Sequence, residues 1–245
     1  MLLSRPDILK HLKKGTIVID PFLPDNLKTV SHDVTLGEWF WRETHPAGRA
    51  TVHNMYDEDS TGFIWNGPHR AELVSDIKKR MNLAELKNIP DDARVILLGP
   101  GETILGHTQE FIGGREVCVA KMYARSSMGR NFIEVCKDAG WGDVGYINRW
   151  TMEITNNSQH YTIPLVVGRR VAQMVFYEVT PVGSNYAAEA GKYQTAETLE
   201  ELKKTWNPHT MIPRMHKDRE VAAMHGPAKK APAPTKKSSV KKKRS

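Results

Sequence analysis

Two arginines and two serines lie within six residues of one another in the segment ARSSMGR, residues 124–130. The residues concerned are Arg125, Ser126, Ser127, Gly129 and Arg130. Guanidinium groups bind phosphate oxygens bidentately, serine hydroxyls donate further hydrogen bonds, and glycine lets the backbone approach closely. The cluster therefore indicates a phosphate-binding site. The alternative is a surface turn whose arginines are simply solvated.

A lone carboxylate, Glu153, lies in the β-rich run RWTMEITNNS. Strand alternation places Met152 and Ile154 on one face and Glu153 on the other. On an exposed face Glu153 would only be solvated, but in the cleft of a barrel or an oligomer burial would make it a general base. Asp143 lies in the glycine-rich stretch GWGDVGY, and the simpler explanation for an aspartate there is that it forms a turn.

Several common catalytic motifs are missing from the sequence, including HExxH, CxxC, HxE and GxSxG. In the stretch GPGETILG the third glycine is misplaced for a dinucleotide-binding loop and no GKS or GKT follows, so the stretch indicates a tight turn between strands. The two cysteines, Cys118 and Cys136, cannot supply the ligands of a zinc nucleobase deaminase, and we expect them to be reduced and buried. Any hydrolysis is therefore expected to use carboxylates, hydroxyls and a soluble Mg²⁺ ion.

Short β-rich runs dominate residues 94–180 and are separated by Gly, Pro or Asn at intervals of about ten residues, which predicts a sandwich or a barrel. Helical spacing of apolar residues predicts helices over 4–14, 71–88 and 196–206. Residues 44–66 are polar, contain several Gly and Pro, and are predicted to form a loop or insertion.

No run of 18 apolar residues occurs in the sequence, so no transmembrane helix is expected, and the N-terminus does not resemble a signal peptide. The net charge of +7 belongs to the C-terminal end, because residues 226–245 hold seven lysines and one arginine and no acid. Without these eight residues the chain has 27 basic against 28 acidic residues, which weakens any argument for a nucleic-acid-binding patch on the folded part. The tail itself is predicted to be disordered.

Seven motifs occur in the order found in the dCTP deaminase family of the dUTPase-like superfamily, from residue 1 to about 196. They are MLLSRPDI, IDPF followed by VSHDVTLG, LLGPGETILGHT, ARSSMGR, AGWGDVGYINRWTMEITN, GRRVAQMVF and GKYQT. The fifth resembles the pattern AGxIDPGFxGxITLELxN, and the last resembles the start of a C-terminal KYQxQ lid. Each match is weak alone, but seven in order are specific.

The resemblance implies a mainly β, dUTPase-like distorted β-barrel or jelly roll, also called a β-clip, with a few peripheral helices. It also implies a homotrimer with active sites between subunits. We accordingly predict one domain over 1–225, with a loop and helix insertion at 44–92, a C-terminal lid and helix at 186–225, and a disordered basic tail at 226–245. A cytoplasmic location is expected, with nuclear import or nucleic-acid contact through the tail as alternatives.

The resemblance further implies zinc-free hydrolytic deamination of dCTP to dUTP in pyrimidine deoxynucleotide synthesis. Glu153 would carry protons from the attacking water to the leaving ammonia, and its pKa should then lie near neutrality. Ser126 would hold the catalytic water or base, and Arg130 would act at the triphosphate, which carries Mg²⁺. The implied substrate-binding residues are Arg125, Ser127, Gly129, Ala139, Trp141, Asp143, Gln173, Lys192, Tyr193 and Gln194.

The chain departs from the family pattern at several positions. Gly142 stands where the family has Ile or Val, Val144 replaces a proline, and Asn148 and Arg149 replace a Gly-x turn. Ala196 stands where a second lid glutamine is expected. These changes bear on substrate preference and on lid closure more than on the fold.

Three alternatives to a simple deaminase stay open at this level. Asp143 aligns with the water-activating aspartate of dUTP diphosphatases, so the chain could cleave dUTP or convert dCTP to dUMP. The glycine-rich C-terminal motif of trimeric dUTPases is absent, and the strand glutamate is present, which favours the deaminase. A non-catalytic nucleotide-binding regulator is the third alternative, and feedback by dTTP is a further prediction.

Overall fold

The computed structural model describes residues 1–45, 52–186, 191–194, 196 and 198–224. The α-helices within these residues are α1 (Arg5–Lys14), α2 (Glu58–Ile64), α3 (Val74–Met81), α4 (Ser126–Gly129), α5 (Leu199–Thr205) and α6 (Arg219–Met224). The strands are β1 (Ile17–Asp20), β2 (His32–Thr35), β3 (Trp39–Glu43), β4 (Trp65–Arg70), β5 (Glu72–Leu73), β6 (Arg94–Leu98), β7 (Thr103–Gly114), β8 (Cys118–Ala124), β9 (Ile133–Val135), β10 (Trp141–Gly142), β11 (Ile147–Asn156), β12 (Ile163–Val166) and β13 (Arg170–Glu178).

Three antiparallel sheets form the body of the protein. The six-stranded sheet has the order β4-β3-β7-β11-β9, with β1 paired to the far part of β7. A four-stranded sheet has the order β10-β8-β13-β2, and a three-stranded sheet has the order β12-β6-β5. The mainly β fold with peripheral helices is thus confirmed, whereas the homotrimer stays a prediction.

The long strands β7 and β11 form the centre of the largest sheet. Their pairing contains a bulge between Arg149 and Thr151. The backbone N–H of Trp150, released from the ladder there, donates to Thr108 Oγ1 at 2.9 Å. Met152 and Ile154 are fully buried in the main core. The predicted alternation is therefore confirmed, and Glu153 projects from the other face of the sheet.

The prediction of a loop over residues 44–66 is wrong for the second half of this range. Residues 58–64 form α2, which begins after Asp57, whose Oδ2 accepts from the backbone N–H of Ser60 at 2.7 Å. Residue 65 begins β4, which pairs with β3 and forms the edge of the six-stranded sheet. The Gly-Pro pair in WNGPHR favours a turn, so this strand was not predicted, but proline is tolerated at a sheet edge.

The other predicted elements fit with shorter bounds. The helix predicted over 71–88 spans only Val74–Met81 and ends at Asn82, which has a left-handed φ of 48°. Both cysteines are buried and unpaired, as expected. No helix in the described part of the chain is long and apolar enough to cross a membrane.

The basic tail lies outside the described residues. Its disorder and its role therefore stay predictions, as do the extents of the single domain, the insertion and the lid.

Candidate active site

Glu153 lies on β11 opposite Leu105 of β7. Its side chain is half-buried, and burial raises the pKa of its carboxyl above the ordinary value. A hydrogen bond from its own backbone and the charge of Lys137 act in the opposite direction but do not cancel this effect. A carboxyl of this kind can exchange a proton near neutral pH more readily than an exposed one.

A strained turn follows β9 and packs beside Glu153. Cys136, Lys137 and Asp138 have left-handed φ values of 72°, 38° and 64°. Such conformations are unfavourable for residues other than glycine and persist only where the surroundings enforce them. Lys137 Nζ donates a hydrogen bond to Oγ1 of Thr103, on β7, at 3.2 Å. This bond holds the Lys137 ammonium group on the face of the sheet that carries Glu153.

A cavity of about 430 Å³ opens over Glu153. Of the residues predicted from the sequence, it is lined by Ala139, Trp141, Asp143, Glu153 and Tyr193. These residues come from separate segments: the strained turn, β10, the loop after β10, β11 and the stretch 191–194. The fold therefore brings two carboxylates and two aromatic rings to one concave site.

Aromatic side chains form much of the cavity wall. Tyr146 meets Trp150 and Tyr186 edge-to-face, with ring centroids 5.2 and 5.0 Å apart. Burial keeps the pKa of the Tyr146 and Tyr186 phenols above the ordinary value, so both stay neutral. Flat rings with neutral polar tips suit a planar, partly polar ligand.

Asp143 is held by its own loop. Its Oδ1 accepts from the Trp141 indole Nε1 at 2.7 Å, and its backbone carbonyl accepts from the Tyr146 N–H at 3.0 Å. Gly145 follows with a φ of 92°, a conformation that glycine adopts without strain. Asp143 thus both forms the predicted turn and stays exposed at the cavity.

The Trp150 side chain occupies the space that a side chain at position 142 would need. A Cβ added at Gly142 would lie 2.4 Å from Cη2 and 2.5 Å from Cζ2 of Trp150. The indole is 4% exposed and its Nε1 donates to the Ile112 carbonyl at 2.8 Å, so the ring cannot move aside easily. Gly142 and Trp150 both stand where the family pattern has Ile, so the departure at 142 is matched by a larger side chain at 150.

The Ser/Arg cluster lies after β8, in the helix α4 and the arginines on either side of it. Ser126, Ser127 and Gly129 form the exposed helix α4, followed by the exposed Arg130. Arg125 Nη1 donates to the Arg170 carbonyl at 3.0 Å, and its Nε lies 3.9 Å from Asp33 Oδ2. None of these residues lines the cavity over Glu153. Within one chain, the predicted phosphate site and the predicted carboxylate site are separate.

Gln173 lies near the cluster and away from the cavity. It is part of β13, opposite Tyr123 of β8 and Asp33 of β2. Its position is therefore set by the four-stranded sheet.

The predicted lid residues are tied to the start of β11. Gln194 Oε1 accepts from the Ile147 N–H at 2.8 Å and lies outside the cavity. Asn148 Nδ2 donates to the Tyr193 carbonyl at 2.9 Å, so the departure from glycine at 148 holds the lid. Lys192 forms an ion pair with Asp218. Ala196, in place of the second lid glutamine, packs in an apolar cluster with Leu202.

Nine of the fourteen residues that line the cavity were not predicted from the sequence. Tyr146, Trp150 and Tyr186 were not predicted as lining residues, and neither were Met211, Pro213 and Met215. The aromatic residues lie close in sequence to predicted ones and could have been included on that ground. The methionines and the proline lie beyond every matched motif, and no signal in the sequence marks them.

Comparison with known proteins identifies the family. A family model described as dCTP deaminase-like matches residues 2–179. A dCTP deaminase of Haloarcula marismortui is 31% identical over 198 residues, covering 79% of this chain and 90% of the relative. A protein of Halobacterium salinarum named dCTP deaminase, dUMP-forming, is also 31% identical over 198 residues, with the same coverage.

A solved structure similar to the chain is the 2′-deoxycytidine 5′-triphosphate deaminase from Agrobacterium tumefaciens. It has a TM-score of 0.44 at 21% identity, and the match covers 71% of this chain and 47% of that one, about half of its length. The sequence matches extend over most of this chain and over nearly the whole of the curated relatives. The chain therefore belongs to the dCTP deaminase-like family.

Proposed function

We propose that this enzyme removes the amino group of dCTP by hydrolysis at C4 of the cytosine ring. The observation that carries the proposal is a carboxylate with a raised pKa, Glu153, in a concave and largely aromatic cavity. Glu153 takes a proton from water while the water oxygen bonds to C4. It then returns a proton to the amino group, the C4–N bond breaks, and ammonia leaves a uracil ring.

The aromatic wall accounts for binding of the nucleoside. A planar base gains about 1–3 kcal/mol by stacking on an aromatic side chain, and Trp141, Tyr146 and Tyr186 offer such surfaces. Asp143, exposed at the rim, is suited to accept a hydrogen bond from the 3′-hydroxyl of the sugar. A ribose would bring a further hydroxyl to this rim.

The triphosphate requires cations, and no lysine or arginine is among the described residues that line the cavity of a single chain. We propose that the Ser126–Arg130 cluster and Gln173 of one subunit complete the cavity of another, in the homotrimer that the family resemblance implies. The exposure of α4 and Arg130 leaves these donors available to a neighbouring subunit. Lys192, in the predicted lid, is a further cation proposed to contact the phosphates, and in the structure it forms an ion pair with Asp218.

Magnesium enters with the substrate in this scheme. The described residues contain no group of three or more His, Cys, Asp or Glu side chains placed to hold a metal. Arginine and serine donors match phosphate oxygens, and the proposed scheme assigns the ion to the triphosphate. Cytoplasmic residence and feedback by dTTP are further parts of the proposal.

A specific observation favours dUMP over dUTP as the final product. Asp143 and Glu153 line the same cavity, so a second carboxylate is available to activate water for cleavage of the phosphate chain. Several relatives are named dUMP-forming, among them those of Halobacterium salinarum and Methanosphaerula palustris. We therefore propose that this chain forms dUMP and diphosphate, rather than stopping at dUTP.

A product assay tests both proposals. The protein is incubated separately with dCTP and with dUTP, each with Mg²⁺, and the nucleotides are resolved by chromatography. We expect dCTP to yield dUMP and diphosphate. Accumulation of dUTP alone would contradict the second step. No turnover of either nucleotide would leave a nucleotide-binding regulator as the better description.

Replacing Arg130 with glutamine is expected to raise KM for dCTP about tenfold or more, because hydrogen bonds to charged groups contribute about 1.5–3 kcal/mol. Steady-state kinetics measure this effect. Arg219→Gln serves as the control, because the Arg219 side chain is 95% exposed and forms an ion pair with its neighbour Glu220. An unchanged KM in Arg130→Gln would place the triphosphate elsewhere.

The pH dependence of kcat/KM should reveal the burial of Glu153. Its carboxyl must be ionised to accept a proton, and burial raises the pKa above the ordinary 4.5. Activity should therefore fall on acidification with a midpoint above 4.5, while circular dichroism shows that the fold persists. Constant kcat/KM down to that pH in folded protein would argue against Glu153 as the base.

A further inference from the structure

A segment beyond the family-matched region contributes to the cavity that holds Glu153. The family model ends at residue 179, whereas Met211, Pro213 and Met215 line the cavity. These are apolar side chains in a cavity that is also lined by two carboxylates, Asp143 and Glu153. The segment 206–218 is called the C-terminal strap below.

The first end of the strap is fixed on the six-stranded sheet. The guanidinium of Arg149 lies 4.7 Å from the ring centroid of Trp206 and 5.0 Å from that of Phe111. The Trp206 ring also lies 4.7 Å from that of His107. Arg149 of β11 therefore links the first residue of the strap to Phe111 of β7.

The middle of the strap is anchored by Trp41. Its indole Nε1 donates to the Pro208 carbonyl at 2.9 Å, and its ring meets His209 edge-to-face at 5.1 Å. Met211 is 3% exposed and packs against Trp41 and Leu105. Leu105 pairs with Glu153 across the ladder, so Met211 lies beside the strand position of the carboxylate.

The second end of the strap is bound to the predicted lid. The Arg214 backbone N–H donates to the Tyr193 hydroxyl at 3.2 Å, and Arg214 Nη1 donates to the Lys192 carbonyl at 2.7 Å. Lys192 Nζ in turn forms an ion pair with Asp218. Strap and lid are therefore held together by contacts at both backbone and side-chain level.

Met211 is nearly buried, so the covering of apolar surface is enough to explain its position. The same explanation does not account for the position of Met215. Met215 is only partly buried and borders the cavity, which keeps about 430 Å³ with the strap in place. The strap therefore bounds a space rather than filling it. Methionine is unbranched and polarizable and makes favourable contacts with aromatic rings.

We propose that the C-terminal strap is the apolar wall of the nucleoside pocket and that Met215 is a substrate-positioning residue within it. This inference rests on the proposed function, because it assigns the cavity to dCTP. The strap then replaces solvent on one side of the bound nucleoside, next to the carboxylate that transfers protons. It acts through packing, so it should affect substrate binding more than the chemical step.

Calorimetric titration of dCTP with Mg²⁺ into the inactive Glu153→Gln protein tests the proposal. Adding Met215→Ala should weaken binding about tenfold, because apolar contact is lost, whereas Met215→Leu should restore binding to within about threefold. Met224→Ala is the matched control, since Met224 is 82% exposed and does not line this cavity. In the otherwise native enzyme, Met215→Ala should raise KM about tenfold and change kcat less than threefold.

Melting curves establish that each variant is folded. Binding by Glu153→Gln/Met215→Ala as tight as by Glu153→Gln would overturn the role of the strap and leave the proposed function standing. Failure of folded Glu153→Gln to bind dCTP, together with no turnover by the native chain, would overturn the proposed function and this inference with it.

Discussion

Replacing Glu153 with glutamine is expected to lower kcat for dCTP at least about a thousandfold, within the range of about 10²–10⁴ for loss of a general acid–base group. The amide has the shape of the carboxyl but cannot take up a proton. The expected loss lies in the upper part of this range because one group serves both proton transfers in the proposed mechanism.

The fold should tolerate this change. Burial raises the pKa of Glu153, so the folded state disfavours its ionised form. The stability contributed by such a group is present below its unfolded pKa and is lost as pH rises through the folded one. At neutral pH the uncharged glutamine should therefore leave the melting temperature unchanged or raise it.

The measurement is kcat by chromatographic detection of product, with a melting curve for each protein. Glu134→Gln is the matched control, because Glu134 lies on the adjacent strand β9 but is exposed. Near-native turnover by Glu153→Gln would remove Glu153 from the mechanism. Loss of turnover in both variants would indicate a general effect of charge instead.

Replacing Gly142 with alanine is expected to destabilise the protein by about 1–3 kcal/mol, the usual cost of adding a methyl group to a well-packed site. The new Cβ would overlap the Trp150 indole at 2.4 Å. Because both residues line the cavity beside Asp143 and Glu153, turnover should fall as well. Gly62→Ala is the control, since a Cβ there meets no atom within 4 Å.

A double-mutant cycle tests whether the two positions compensate for each other. Trp150→Ile alone should destabilise the protein by leaving a cavity. In that background the cost of Gly142→Ala should largely vanish, giving a coupling energy of about 1 kcal/mol or more in urea-induced unfolding. Additive effects of the two changes would show that Trp150 does not restrict position 142.

The candidate site could be predicted only in part. Glu153, Asp143 and Trp141 were predicted from one continuous motif, and the fold brings them to one cavity because the strand and its preceding loop turn back on each other. Ser126 and Arg130 were predicted from an equally specific motif but lie apart from that cavity in the single chain. A linear motif specifies residue types, whereas the distance between two motifs depends on how sheets and subunits pack.

The family, the alternation of β11 and the carboxylate on its non-core face could be predicted from the sequence alone. These properties are local, since strand periodicity and motif order are set along the chain. The extension of the main sheet by β4, the packing of Trp150 above Gly142 and the position of Met211 and Met215 beside the carboxylate became evident from the folded structure. Each of these contacts joins residues without a shared sequence period, so packing between distant segments sets it.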